Sequence, residues 1–180
     1  MPSDITAILA AAQYAAEKHA TQRRKGAFGE PYLNHLIEVA YLVSTALSQP
    51  DANLVAAALL HDVIEDAGVT AQELAEKFSP DVAALVVEMT DDKSLPKAER
   101  KRLQIEHASK LSPRAQVIKL ADKISNLRSI LVSPPADWDY ARRRQYFQWG
   151  KQVVDELSAP NPILKAEFEK IYRRVDEIQH

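Results

Sequence analysis

Apolar residues recur every three or four positions along most of the chain, which is the spacing of amphipathic helices. Capping residues, prolines and polar segments separate one apolar stripe from the next. The pattern predicts helices over 5–21, 31–47, 51–66, 80–89, 98–107, 113–131, 138–157 and 161–178. A capping box formed by Thr70 and Glu73 predicts one more helix between the third and fourth of these.

No segment alternates apolar and polar residues over the length that would favour more than a short strand pair. Internal repeats, low-complexity tracts and flexible linkers are also absent from the sequence. We therefore expect an all-α fold, a single helical bundle domain spanning residues 1–180, with at most a minor β-hairpin.

Composition supports this picture and excludes several kinds of chemistry. The chain of 180 residues has four glycines, which argues against a turn-rich β fold or a glycine-rich phosphate loop. It has no cysteine, so thiol nucleophiles, disulfides and cysteine-type zinc sites are excluded. With 23 basic and 25 acidic residues the net charge is −2, which is unlike a dedicated nucleic-acid binder.

Membrane and export signals are not evident. The apolar run from Leu54 to Leu60 is far shorter than the roughly 20 residues that span a bilayer. The N-terminus has no cationic segment of the kind that precedes a signal peptide. We expect a cytoplasmic protein with no membrane partner and no nucleic-acid partner.

The segment from Leu59 to Asp66 concentrates ionisable groups beside apolar residues. On a continuous helix His61 would lie over Glu65, and Asp62 over Asp66. Three carboxylates so close together repel one another, and the helix dipole disfavours the last two, so a bound cation would relieve both effects. Taken alone, the His-Asp pair is better explained as a solvated helix end.

Asp122 lies in the most apolar helix of the chain, on a narrow polar stripe. A carboxylate buried there must be paired or must bind a metal. A salt bridge to Lys119, Lys123 or Arg128 and a role as a metal ligand are equally compatible with the sequence.

His35, near the start of the second helix, completes a set of two histidines and two carboxylates with His61, Asp62 and Asp122. Mixed nitrogen and oxygen ligands suit Mn²⁺ or Fe²⁺, and Zn²⁺ stays open. By itself His35 is more readily explained as an ordinary polar residue of a helix start.

Basic residues cluster at 23–25, 97–102 and 142–144 although the net charge is close to zero. A phosphorylated small molecule would explain such clusters, and so would solvated helix faces. The solvated face is the stronger interpretation for 142–144. The cluster at 23–25 is the better candidate for binding, because it precedes His35.

These motifs, in this order, resemble the HD-domain metal-dependent phosphohydrolases, and in particular the hydrolase domain of RelA/SpoT proteins. The similarity is greatest to stand-alone small alarmone hydrolases of the metazoan SpoT-homologue type, and it extends from about Ala7 to Ile178. It rests on Gln22-Arg23-Arg24-Lys25, Pro31-Tyr32-Leu33-Asn34-His35, the segment 57–66, Thr90-Asp91-Asp92-Lys93-Ser94-Leu95-Pro96-Lys97, Glu99-Arg100-Lys101-Arg102 and Lys119-Leu120-Ala121-Asp122-Lys123.

The resemblance implies an all-helical HD fold, one Mn²⁺ per site with other divalent metals possible, and removal of the 3′-pyrophosphate from (p)ppGpp to give GDP or GTP. The positions that match the family's metal ligands are His35, His61, Asp62 and Asp122. Its catalytic acidic pair corresponds to Glu65 and Asp66, which orient and deprotonate the attacking water. Substrate contacts are expected from Arg24, Lys25, Asn126 and Tyr146.

The chain departs from the family pattern at loop 26–30 and at Leu36, where a proline often follows the ligand histidine. Relatives of this type also act on the 2′-phosphate of NADPH, so an NADPH 2′-phosphatase using the same site is an alternative. A non-catalytic nucleotide sensor would be expected to lose a ligand or an acid, and none is missing here. A helical interaction protein with chance motifs is the remaining alternative. The chain has no room for a synthetase domain, so we expect degradation only.

Overall fold

The computed structural model describes residues 3–178, and helices make up nearly all of their regular structure. In chain order the helices are α1 (Asp4–Lys18), α2 (Leu33–Ala46), α3 (Ala52–Leu60), α4 (Val63–Ala67), α5 (Ala71–Lys77), α6 (Pro80–Met89), α7 (Lys97–His107), α8 (Pro113–Val132), α9 (Tyr140–Asp155) and α10 (Pro162–Tyr172). Short 3₁₀ segments follow α7 and α10, at Ala108–Lys110 and Arg173–Glu177. The predicted all-α class is confirmed. Within the described range, the strand-like pairing is one antiparallel bridge between Arg23 and Pro31.

Several helices begin at the side chains that predicted them. The hydroxyl of Ser79 accepts from the backbone N–H of Val82 at the start of α6, and Ser112 caps α8 in the same way. A proline follows each of these serines at the first helical position, where its missing N–H has no helical partner to lose. These starts were predicted correctly because capping is a local interaction.

The second helix begins two residues later than predicted. Pro31 lies in the bridge with Arg23, and the N–H of Tyr32 donates to the carbonyl of Gln22 at 3.0 Å. The chain therefore stays extended through this bridge, and α2 starts only at Leu33. This bridge holds the polar loop 22–30 against the start of α2.

The predicted helix over 51–66 is wrong in one respect, because it is broken at His61 and Asp62. Helix α3 ends at Leu60 and α4 starts at Val63. The His61 ring nitrogen Nδ1 bonds to the carbonyl oxygen of Ala58 at 2.8 Å, an alternative to regular helical bonding. Gly68 ends α4 in the left-handed conformation, with φ of 68°, as the sequence predicted.

Helix α8 runs through the centre of the bundle and packs against α2, α3, α6, α9 and α10. Its apolar face supplies fully buried residues such as Ile118, Leu120 and Leu127, each of which contributes roughly 1.5–3 kcal/mol through burial. The same helix also buries polar side chains, namely Gln116, Lys119, Asp122, Lys123 and Ser125. These polar groups need partners inside the bundle, and the partners they find define the site. No helix within residues 3–178 has the length and hydropathy to cross a membrane.

Candidate active site

Four side chains from three parts of the fold converge at one point. His35 comes from α2, Asp122 from α8, and His61 with Asp62 from the break between α3 and α4. His61 Nε2 lies 3.1 Å from Asp62 Oδ2, and His35 Nε2 lies 3.3 Å from Asp122 Oδ1. The two crossed distances are both 3.8 Å. Adjacent residues of a regular helix point about 100° apart, so the break lets His61 and Asp62 face the same point.

The geometry of three of these groups fits a metal ion. Potential ligand atoms of His35, His61 and Asp62 lie within 4.8 Å of one another, as ligands at about 2.0–2.2 Å from a common ion would. The Nε2 atom of His61 is buried and makes no hydrogen bond within the described residues. Its Nδ1 is occupied by Ala58, so the Nε2 lone pair is available to an ion.

The charges of the cluster stabilise one another without a metal. Burial opposes the charged form of His61, but the adjacent Asp62 carboxylate raises its pKa to about 9. Burial also opposes ionisation of Asp62, but His61 and His35 hold the pKa of that carboxyl well below its usual range. For His35, burial is the main cause of a lowered pKa. A divalent cation would replace the proton on His61, since a histidine must be neutral to bind metal.

Each carboxylate of the cluster is oriented by further hydrogen bonds. The Tyr32 hydroxyl donates to Asp62 Oδ2 at 2.6 Å, and burial together with Asp62 raises the pKa of Tyr32, so this hydroxyl stays a donor. Asp122 Oδ1 accepts from Asn126 at 2.6 Å, and its Oδ2 accepts from Lys123 at 2.9 Å. The salt bridge to Lys123 is therefore present, and Asp122 also faces both histidines, so its role as a metal ligand stays a prediction.

The two acids that follow, Glu65 and Asp66, have different surroundings. Glu65 accepts from the backbone N–H of Asp91 at 3.2 Å and from Arg100 at 3.4 Å. Burial and the nearby Asp91 and Asp62 charges raise the pKa of Glu65. Asp66 instead accepts from Gln22 at 2.8 Å and forms an ion pair with Lys93.

A cavity of about 550 Å³ lies beside the cluster. Four of its lining carboxylates, here called the acidic wall, are Asp62, Glu65, Asp66 and Asp122. Four of its lining cations, here called the basic wall, are Arg24, Lys25, Lys97 and Lys101. Asn126 and Tyr146 also line the cavity, so all four expected substrate contacts are brought together. Arg24 donates to Asn126 Oδ1 at 2.9 Å and so lies within one hydrogen bond of the partner of Asp122.

Aromatic rings, rather than carboxylates, support the basic wall. The Lys101 ammonium lies 4.6 Å from the ring centre of Trp149, and Lys97 lies 5.8 Å from that of Trp138. Burial and the neighbouring cations, Lys97 foremost, lower the pKa of Lys101 to about 8. No carboxylate among residues 3–178 forms a salt bridge with the basic wall. This half of the cavity is suited to an anion with more than one charge.

Sequence reasoning noted the run 97–102 but did not single out Lys97, Lys101, Trp138 or Trp149. A usable signal was present, since Trp138 and Trp149 are the two tryptophans of the chain. Arg142, in the cluster interpreted as a solvated face, is exposed and also lies against an aromatic ring. Its guanidinium stacks on Trp138 at 4.6 Å and its charge lowers the pKa of Lys97, whose own burial is the larger cause.

An all-helical bundle with a buried cluster of two histidines and two aspartates beside a cavity for anions defines a metal-dependent hydrolase of the HD class. Residues 11–147 match the family model for the HD domain. A divalent metal is therefore implied, and the His-Asp cluster is where it would be held. The chain belongs to the HD-domain family and, within it, to the group of the metazoan SpoT homologues known as MESH1.

Similarity to individual proteins of this group is extensive. The chain is 50% identical over 162 residues to guanosine-3′,5′-bis(diphosphate) 3′-pyrophosphohydrolase MESH1 of Drosophila melanogaster, covering 90% of both proteins. It is 43% identical over 174 residues to the human protein of that name, covering 97% of both. A solved structure of a metazoan SpoT orthologue that hydrolyses ppGpp superimposes with a TM-score of 0.90 at 48% identity and covers 97% of each chain. A Listeria monocytogenes protein is more distant, with a TM-score of 0.65 and 28% identity over 82% of this chain and 98% of the other.

Proposed function

We propose that this chain is a (p)ppGpp 3′-pyrophosphohydrolase that depends on Mn²⁺, with residues 1–180 acting as one domain. The observation that carries the proposal is the juxtaposition of the His-Asp cluster with the basic wall in one cavity of about 550 Å³. The names of the similar proteins supply the substrate class. We assign the metal to His35, His61, Asp62 and Asp122, whose mixed ligand set suits Mn²⁺.

The reaction joins the oxygen of a water molecule to the phosphorus attached to the 3′-oxygen of the ribose. The bond between that phosphorus and the 3′-oxygen breaks, which releases pyrophosphate and leaves GDP or GTP. When bound, the divalent ion supplies Lewis-acid stabilisation of the phosphoryl charge and favours ionisation of water. The 3′-oxygen leaves with the proton that was removed from the attacking water.

Glu65 is the residue that accepts the proton of the attacking water. Its raised pKa suits a general base near neutral pH, and its backbone and Arg100 hydrogen bonds fix the carboxylate at the cavity. Asp66 has a different role, because its two oxygens are bound to Gln22 and Lys93. Asp66 therefore holds loop 22–30 and the loop after α6 together beside the substrate. By fixing these two loops it helps to orient the water.

The basic wall holds the phosphates, and the aromatic side chains offer flat surfaces to a base. Arg24 and Lys25 approach the substrate from loop 22–30, while Asn126 and Tyr146 approach from α8 and α9. Charge-assisted hydrogen bonds from these cations stabilise the negative charge that develops as the phosphorus–oxygen bond breaks.

One assay separates the candidate substrates. Purified chain with Mn²⁺ is supplied with ppGpp or NADPH in parallel, and pyrophosphate and inorganic phosphate are measured separately. We expect pyrophosphate from ppGpp at a higher kcat/KM than phosphate from NADPH. Phosphate release from NADPH alone would replace the proposal with the 2′-phosphatase, and ppGpp binding with no turnover of either compound would favour the sensor.

A matched control tests a carboxylate outside this site. Asp155→Asn removes an exposed carboxylate of α9 that pairs with Lys151 and Lys165 and does not line the cavity. We expect this variant to keep the activity of the unmodified chain.

A further inference from the structure

A line of hydrogen bonds runs from His35 away from the cavity to the surface of the bundle. His35 Nδ1 lies 2.8 Å from the hydroxyl oxygen of Ser125, and that hydroxyl donates to Glu38 Oε2 at 2.6 Å. Glu38 Oε1 accepts from Arg128 at 2.9 Å, and Arg128 also donates to Glu167 of α10 at 2.6 Å. His35 and Ser125 are almost completely buried, with 3% and 1% of their surfaces exposed.

Helical periodicity aligns this line with the metal cluster. Glu38 follows His35 by three residues on α2, and Ser125 follows Asp122 by three residues on α8. Residues three apart share a helix face. The two helices that supply one ligand each therefore also supply the groups directly behind those ligands.

The direction of these bonds fixes the protonation of the His35 ring. A serine hydroxyl has one hydrogen, and a carboxylate can only accept. Because Ser125 gives its hydrogen to Glu38, its oxygen must accept from His35, so Nδ1 carries the ring hydrogen. The lone pair of His35 is then on Nε2, the atom that faces Asp122 and Asp62.

We propose that Ser125 and Glu38 are positioning residues that hold His35 in the tautomer and orientation required for metal binding. The proposal rests on the metal site assigned under the proposed function. His61 needs no such side chains, since the carbonyl of Ala58 occupies its Nδ1. The two histidines of one cluster are thus oriented by different means, one by backbone and one by a side-chain relay.

Glu38→Gln is the sharpest variant, because it keeps the size of the side chain and reverses the relay. Arg128 donates to position 38, so the amide oxygen will turn to Arg128 and the amide NH₂ to Ser125. Ser125 then loses its acceptor at position 38 and is free to give its hydrogen to His35 Nδ1, which favours the ring hydrogen on Nε2, where it opposes metal binding. Ser125→Ala is the second variant, and it removes the relay altogether.

Two measurements test the proposal on the whole chain. In the first, Mn²⁺ alone competes with a chelator of known affinity, and we expect both variants to bind Mn²⁺ about 10–100-fold more weakly. In the second, ¹⁵N NMR of the metal-free chain reports ring protonation, with the His35 signals identified by their loss in His35→Gln. We expect protonated Nδ1 in the unmodified chain and protonated Nε2 in Glu38→Gln.

Two matched controls make the same kinds of substitution at exposed positions away from His35. Ser44→Ala removes an exposed hydroxyl of α2 that bonds only to the carbonyl of Tyr41, and Glu177→Gln neutralises the exposed partner of Arg174. Both should leave the Mn²⁺ affinity and the His35 tautomer unchanged. Melting curves of all variants verify that the fold is retained.

The proposal requires both results. Unchanged Mn²⁺ affinity in Glu38→Gln, or an unchanged His35 tautomer, would overturn it. If the unmodified chain binds no divalent ion, the assigned metal site fails instead, and the ring protonation of the metal-free chain still decides whether the relay exists.

Discussion

The two walls of the cavity are built in opposite ways. The acidic wall stands on α4, on the break before it and on α8, and each of its carboxylates has hydrogen-bond partners at fixed positions. The basic wall stands on loop 22–30 and on α7, a helix with no fully buried residue. Two of its lysines, Lys97 and Lys101, lie against tryptophan rings, and neither forms a salt bridge within the described part of the chain.

This difference corresponds to the positional precision that each wall requires. Metal ligands and a general base must be held within a fraction of an ångström, and the hydrogen bonds of the acidic wall provide that precision. Phosphate groups are bound by charge over a longer range, so cations on a surface helix suffice. We expect substitutions in the acidic wall to lower kcat, and substitutions in the basic wall to raise KM.

The largest effect should come from a metal ligand in the acidic wall. Asp62→Asn keeps the shape of the side chain and removes the charge that faces both histidines. We expect loss of Mn²⁺ binding and a fall in kcat of about a thousandfold, since a metal contributes several kcal/mol to the transition state. Metal content and turnover are measured together, with Asp155→Asn as the control. Full activity in Asp62→Asn would contradict the assignment of the cluster.

The two acids of α4 should differ from each other. Glu65→Gln removes the general base, and we expect kcat to fall by about 10²–10⁴-fold with Mn²⁺ still bound. Asp66→Asn retains its bond from Gln22 and loses the ion pair with Lys93, so we expect a smaller fall in kcat and a larger change in KM. Steady-state kinetics at saturating Mn²⁺ measure both. Equal losses of kcat would show that the two carboxylates share one role.

The smallest effect belongs to the basic wall and depends on pH. The pKa of Lys101 is lowered from its ordinary value to about 8 by burial and by neighbouring cations, so its charge is lost as the pH rises through 8. We expect KM for ppGpp to rise about fivefold between pH 7 and pH 9, because a charged donor binds phosphate more tightly than a neutral one by about 1 kcal/mol.

Lys101→Arg supplies the control for this pH dependence, since a guanidinium stays charged throughout the range. The ratio of KM in Lys101→Arg to KM in the unmodified chain should fall as the pH rises. Other groups that titrate in this range affect both proteins alike. A constant ratio would mean that Lys101 does not contact the phosphates.

Local features of the chain were predictable, and features assembled across the chain were less so. The starts of α6 and α8 follow from Ser79-Pro80 and Ser112-Pro113, because a cap needs only its own helix. The break at His61 was not predicted, since the apolar spacing gives no sign of the bond between its ring and the carbonyl of Ala58. The spacing of apolar residues over 59–66 by itself predicts one continuous helix.

The candidate site divides in the same way. His61, Asp62, Glu65 and Asp66 stand within six residues, so their shared chemistry was visible in the sequence. The basic wall combines Arg24 with Lys101, and its aromatic support comes from Trp149 on a third segment. No spacing rule relates such distant positions. The roles of Glu38 and Ser125 could not be predicted from the sequence either, because their contact depends on the packing of α2 against α8.

Gly26 connects the two walls in a way that bears on how the protein can change over evolution. A Cβ atom at this position would lie 2.3 Å from the carbonyl oxygen of Ser133, so loop 22–30 is seated directly on the end of α8. Two residues further on, the side chain of Phe28 is 72% exposed, whereas Gly29 has a φ of 58°, which disfavours other residues. Diversification of this loop, natural or in a designed library, therefore has an open position at 28 and closed positions at 26 and 29. New substrate preferences can be explored there without moving Arg24 or Lys25 relative to the helix that carries Asp122.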